Sequence, residues 1–193
     1  VGHSHNAFFS ESFVDELAIE SKQDPVAFRL ALLQDAPRYA AVLKLAAEKA
    51  KWGSALPAGH ARGVALHESF GSIVAQVAEV SMQDGKPRVH RVVCAIDCGT
   101  VVNPGTVAQQ VESSINFALT AALFGQIDIQ DGVVQQTNFT NYPLVSMAQS
   151  PVVETWMVPS TRSPEGVGEP AVPPLAPAVA NAMFQLTGQR QRA

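Results

Sequence analysis

The opening third of the chain places its apolar residues with the period of a helix. From His5 to about Ser21, Phe9, Phe13, Leu17 and Ala18 fall at helical spacing. Asp24-Pro25 then starts a second helix, with Asp24 placed to cap it and Pro25 at its first position. Pro37 begins a third, which runs through Leu43 and Ala47 to Trp52, where Gly53 stops it. Ser54 to Arg62 is a short linker holding Pro57 and Gly59, and beyond it the pattern changes to strands. Gly63–Ser69 and Ser72–Ser81 read as strands, Asp84-Gly85-Lys86-Pro87 as a turn, and Arg88–Ile96 as the returning strand. A helix follows from about Thr106 to Phe124, polar at its start through Gln109, Gln110, Glu112, Ser113, Ser114 and Asn116, then apolar. Gly125–Gln136 reads as a second hairpin around Asp131-Gly132, Asn138–Ser150 as irregular, Val152–Val158 as a last strand and Leu175–Gly188 as a last helix. The predicted class is α+β: a helical N-terminal lead, then an antiparallel or mixed sheet with interleaved helices.

Composition changes this picture in one respect. Charged residues make up 16% of the 193, against a usual ~25%, while hydrophobic residues reach 47%. So little charge predicts that much of the surface is covered by other protein. A net charge of -4 and no basic run exclude a nucleic-acid surface. The chain opens on Val1, which reads as a piece of a longer polypeptide. Cys94 and Cys98 are too few and too far apart for a zinc ribbon or a redox pair, so both are expected as buried free thiols.

The candidate chemistry lies in Ser163-Pro-Glu-Gly-Val-Gly-Glu-Pro-Ala-Val-Pro-Pro174, where prolines fix φ and glycines open it. This predicts a stiff, shaped loop that carries Glu169 between Gly168 and Pro170. A carboxylate so mounted suits a general base; a solvated turn glutamate fits the same residues. The five histidines give no metal motif, since His3-Ser-His5 lacks the spacing that puts two imidazoles on one helix face. Neither a P-loop nor the dinucleotide fingerprint occurs, and Ser69 is not in a nucleophile elbow. What remains is Gly2–Asn6, Asp97-Cys98-Gly99 with Asn103-Pro104, the amides of Gln109 and Gln110, and Gly168-Glu169. Amides donate and accept, which suits a large polar ligand where several loops meet.

These residues also carry a resemblance. Gly166-Val-Gly-Glu-Pro170 followed by Leu175-Ala-Pro-Ala-Val-Ala-Asn-Ala182 resembles the C-terminal signature of the molybdenum hydroxylases, the xanthine dehydrogenase and aldehyde oxidase family. Asp97-Cys-Gly99, Asn103-Pro104 and Gln110-Val-Glu112 resemble its cofactor-contact segment. Val1–Leu17, His67–Val80 and Thr137–Pro143 resemble the isoquinoline 1-oxidoreductase β-subunit branch, so the likeness covers essentially the whole chain.

The resemblance implies a set of roles. Glu169 matches the general base, Gln110 a glutamine that hydrogen-bonds the pterin side of the cofactor, and Gly168 a position that permits the metal's close approach. Partial burial of Glu169 near an anionic centre is expected to favour proton uptake. Ser113 stands where many relatives have glycine. The implied cofactor is molybdenum–molybdopterin cytosine dinucleotide, with electrons leaving to a small partner subunit that holds 2Fe–2S clusters. Residues 1–53 would belong to the first molybdenum-cofactor-binding domain and 60–193 to the second, with the remaining N-terminal part of the large subunit as a further partner. The implied reaction puts water-derived oxygen into a small molecule, an N-heteroaromatic or, alternatively, an aldehyde; a non-catalytic copy without cofactor is the other reading. Residues 1–193 alone are expected to hold no cofactor and to be inactive.

Overall fold

The computed structural model describes residues 2–192. Three helices lead: α1 (His3–Glu20), α2 (Pro25–Leu32) and α3 (Pro37–Lys49). Asp24 caps α2, its carboxylate accepting from the amides of Val26 at 3.0 Å and Ala27 at 2.8 Å. α3 ends before Trp52, because Lys51 already turns left-handed at φ 53° and the Trp52 amide reaches back to Ala47 O at 2.8 Å. Lys51 thus closes the helix in the place expected for Gly53.

β1 (His60–Ser69), β2 (Ser72–Gln83) and β3 (Lys86–Asp97) form an antiparallel meander. Its two tight turns are Phe70-Gly71, at φ 56° and 79°, and Asp84-Gly85, at φ 50° and 75°. Two successive positive φ values match the right-handed twist of the flanking strands. α4 (Pro104–Leu123) then crosses over and β6 (Val152–Met157) joins β3 in parallel, so the sheet is mixed, in the order β1-β2-β3-β6. β4 (Ile129–Gln130) and β5 (Val133–Val134) make the small hairpin around Asp131-Gly132. α5 (Leu175–Thr187) stops at Gly188, left-handed at φ 68°. No helix among the described residues is long and apolar enough to cross a membrane.

The sheet is covered on both faces, which explains the unbroken buried run Val92–Asp97 in β3. One face packs Val26, Val42, Leu43 and Ala46 of the helical lead against Val64, Ile73, Ala75 and Val93. The other packs α4 and α5 against Val74, Ala78, Val92 and Ile96. α5 crosses β1 so closely that a Cβ at Gly63 would lie 2.0 Å from Ala178 O. Cys94 and Cys98 are free and buried, and burial pushes the Cys94 thiol up to about 12.

α1 forms where the spacing predicts it but turns a different face inward. Phe9, Phe13 and Leu17 are exposed, whereas Ala7, Glu11, Ser12, Asp15 and Ala18 are buried. Two guanidiniums decide this orientation. Arg29 of α2 is buried and bonds Glu11 Oε2 through Nε at 2.9 Å, and Arg190 bonds Asp15 Oδ2 at 2.7 Å. Glu11 Oε2 also accepts from the Leu66 amide at 2.8 Å, which ties α1 to β1. Buried charge without such partners costs several kcal/mol, about as much as burying two large apolar side chains returns.

Candidate active site

The loop from Ser163 to Pro174 joins β6 to α5 without regular structure, yet it is fastened at short intervals. Arg162 O accepts from Thr100 N at 2.9 Å and Thr100 Oγ1 at 2.7 Å. Glu165 N donates to Cys98 O at 2.9 Å, and Gly166 N to Phe70 O at 3.1 Å. Ser72 Oγ donates to Gly166 O at 2.7 Å, Ser114 Oγ to Gly168 O at 3.1 Å and Gln76 Nε2 to Ala171 O at 2.7 Å. These bonds gather four segments around one loop: the turn after β3, the Phe70-Gly71 turn, α4 at Ser114 and β2 at Gln76. The first and third contain candidate residues named from the sequence. The second was not named as part of the site; its signals are a glycine turn between two strands and its place within the His67–Val80 likeness.

Glycine packing separates two kinds of position. A Cβ at Gly99 would lie 2.0 Å from Ser163 O, one at Gly71 2.3 Å from Glu165 Oε2, and one at Gly166 2.9 Å from Phe70 Cβ. These glycines let the segments close on each other. At Gly168 a Cβ would meet nothing within 4 Å, and φ there is not left-handed. Neither packing nor backbone conformation within this chain requires glycine at 168.

The turn after β3 is held by an ion pair between buried Asp97 and partly exposed Arg38. Asp97 is 2% exposed; its Oδ2 accepts from Arg38 Nε at 2.8 Å and its Oδ1 from the Gly99 amide at 3.0 Å. Burial pushes the Asp97 carboxyl up, but Arg38 and the Gly99 amide outweigh it and hold the group below the usual carboxylate range. Arg38, on the first turn of α3, was not visible as a site residue because a basic residue on a helix usually faces solvent.

Gln109 and Gln110 are exposed near the start of α4, whose first turn is capped by Asn103 Oδ1 accepting from Thr106 N at 3.0 Å. Gln110 lies one helical turn before Ser114, the residue that bonds Gly168 O. Ser114 thus fastens the backbone of the Gly168-Glu169 segment to α4 one turn beyond Gln110. Glu169 itself is exposed, so residues 2–192 do not supply the partial burial expected for it. Ser113 is exposed as well.

The histidines pair in ways their sequence spacing conceals. His3 Nδ1 lies 3.1 Å from His67 Nε2, and the His3 ring 5.5 Å from that of Phe70, so the Gly2–Asn6 segment reaches the same end of the sheet. Burial and the neighbouring His3 hold His67 below its ordinary pKa. His60 and His90 stack at 4.4 Å near the opposite end of β1, and His5 sits beside Phe9. Among the described residues no three His, Cys, Asp or Glu side chains converge as a metal-ligand set.

Comparison with known proteins gives this geometry its context. The molybdopterin cofactor-binding domain family matches residues 27–151. Isoquinoline 1-oxidoreductase subunit beta of Brevundimonas diminuta is 36% identical over 100% of this chain and 25% of its own length. A membrane-bound aldehyde dehydrogenase (pyrroloquinoline-quinone) of Gluconacetobacter polyoxogenes is 33% identical over 94% of this chain and 26% of its own. The chain thus spans about a quarter of the length of these curated relatives. In structure it is similar to reconstituted CO dehydrogenase from Oligotropha carboxidovorans, with a TM-score of 0.55 and 22% identity over 61% of this chain and 16% of that one. With the family match covering most of its residues, this chain belongs to the molybdopterin cofactor-binding domain family.

Proposed function

We propose that the protein carrying this chain is a molybdenum-containing oxidoreductase that hydroxylates an N-heteroaromatic substrate, with Glu169 as general base. The observation that carries this reading is the bond from Ser114 to Gly168 O, which ties the backbone next to Glu169 to α4 one helical turn after Gln110. The open space over Gly168 fits a large group arriving from outside the chain. A metal held within an organic cofactor also needs no cluster of protein ligands, in keeping with the side chains present here. The cofactor, proposed as molybdenum–molybdopterin cytosine dinucleotide, supplies the two-electron redox chemistry when bound.

In this reading each residue has a bounded task. Gln110 donates to and accepts from the pterin side, since its amide offers both. Gly168 keeps the approach clear of a side chain. Glu169 takes a proton at its carboxylate as water-derived oxygen enters the substrate, the role of a positioned general base. Ser114 and the anchors at Cys98 and Phe70 fasten the backbone that carries Glu169, and a displacement of about 1 Å costs such a site about a hundredfold in rate. Residues 1–53 and 60–193 are proposed as parts of the first and second cofactor-binding domains. A small 2Fe–2S subunit is proposed as the electron acceptor, with the remaining N-terminal part of the large subunit completing the cofactor site.

The N-heteroaromatic class is favoured by the 36% identity over the full chain with the isoquinoline enzyme; aldehydes are the second class, supported by the 33% relative. Turnover of isoquinoline and benzaldehyde by the complete protein in heavy-oxygen water distinguishes them by mass spectrometry. Label in the isoquinoline product is expected. Label in benzoate alone would shift the assignment to aldehydes, and no product from either would reject the reading.

A further inference from the structure

Gln76 stands where the fold asks for an apolar residue. It lies on β2, the strand between β1 and β3, in phase with Val74, Ala78 and Val80, which pack against α4 and α5. Its partners across the sheet are Ala65 and Cys94, and its side chain is wholly buried, at 0% exposure. The amide nitrogen makes one close bond, to Ala171 O at 2.7 Å, and lies 3.9 Å from Cys94 Sγ. Among the described residues its Oε1 has no partner. An amide half-matched inside an apolar core is costly to bury, so packing alone gives no reason for glutamine here.

What the bond reaches is the turn that Glu169 begins. Glu169-Pro170-Ala171-Val172 closes through Val172 N to Glu169 O at 2.9 Å, with Pro170 fixing φ at its second position. Gln76 grips the third residue of that turn, while Ser114 donates to Gly168 O at 3.1 Å, just before it. Glu169 is thus bracketed by two side chains, one from a helix and one from an interior strand. Ala171 is also at 0% exposure, so the bond from Gln76 is shielded from water, where it is stronger than on a surface. We infer that Gln76 is a positioning residue for Glu169: through Ala171 it sets the backbone from which the general base works. Being wholly buried, it meets neither substrate nor cofactor itself. The inference rests on the proposed function and adds to it a residue that acts only through the base.

The test uses the complete enzyme and whichever of isoquinoline and benzaldehyde the native form oxidises. Gln76→Met keeps the length and loses the donor; Gln76→Asn keeps an amide but is one methylene too short for the same reach. Turnover is expressed per bound molybdenum, so that incomplete loading does not mimic the effect. Both variants are expected to lower kcat about ten- to hundredfold, the cost of misplacing a catalytic group by about 1 Å, with KM near native. A residue that only supports the fold slows the enzyme whether or not the base is present; a residue that acts through the base does not. Gln76→Met combined with Glu169→Gln is therefore expected to turn over at the rate of Glu169→Gln alone. Native kcat per molybdenum in either Gln76 variant overturns the inference, as does a full additional loss in the double variant. Activity lost only in step with molybdenum, or with the native circular dichroism spectrum, overturns it too, because Gln76 then serves the fold alone. The single Glu169→Gln variant keeps the two readings apart. If it works at the native rate, the proposed base fails; if it is slow while Gln76→Met is not, only this inference fails.

Discussion

A methyl group added at Gly166 would press on Phe70 Cβ at 2.9 Å, whereas one added at Gly168 would meet no atom within 4 Å. Gly166→Ala is therefore expected to lower stability by about 1–3 kcal/mol, the range for overpacking. Gly168→Ala should stay within about 0.5 kcal/mol of the native protein, as surface changes do. If Gly168 is bare for the cofactor's sake, that second variant loses molybdenum while its unfolding curve holds; full metal content would remove the reason given for this glycine. Glu11 offers a contrasting case, since it answers two buried donors at once. Glu11→Ala removes the nearer of the two carboxylates facing buried Arg29, leaving Asp15 Oδ1 at 3.8 Å, and is expected to cost about 3 kcal/mol in equilibrium urea unfolding; a loss below 1 kcal/mol would contradict the network. Glu169 and Gly168 were proposed from one short motif and Gln110 from another, each compact in sequence. Glu11 and Arg38 could not be proposed in that way, because their partners lie on other elements.

Among the elements, the hairpins were the most legible. Asp84-Gly85 encodes two positive φ values in its dipeptide, and β2 and β3 follow from it. The Phe70-Gly71 turn forms for the same reason, but its support of the Glu169 loop is a tertiary contact that local pattern does not encode. α1 shows the limit of periodicity: the period placed the helix, while Arg29 and Arg190 chose its buried face. The turn after β3 and strand β1 also carry a pH dependence. Asp97 is held below its ordinary value, so the stability it contributes is complete above its unfolded pKa of about 3.9 and is lost as pH falls through the folded value. His67 is held low by burial, so the unfolded chain binds its proton first, and stability falls as pH drops below about 6.5. His67→Gln is expected to flatten part of that slope in urea titrations at successive pH values. An unchanged slope would assign it elsewhere.

For the whole molecule, the helical lead and the sheet share a core, and what remains outside is unusually apolar. Phe117 is 70% exposed, Phe139 75% and Met147 96%, on a chain with 16% charge. Scattered exposed apolar residues are ordinary; this many, with the stripe on α1, are expected to meet other protein. In the complete protein, oxidative footprinting should find Met147 protected, and free oxidation there would mean that face is bare. The low charge raised this expectation from composition, while the location of the exposed apolar faces needed the fold. The central claim is the role proposed for Glu169, on a loop whose backbone is fastened to α4. Its most direct test is Glu169→Gln in the complete enzyme, with bound molybdenum and isoquinoline turnover measured on one preparation. The account predicts near-native molybdenum with turnover reduced by about 10²–10⁴-fold, the usual worth of a general base; turnover close to native at full molybdenum content would contradict it.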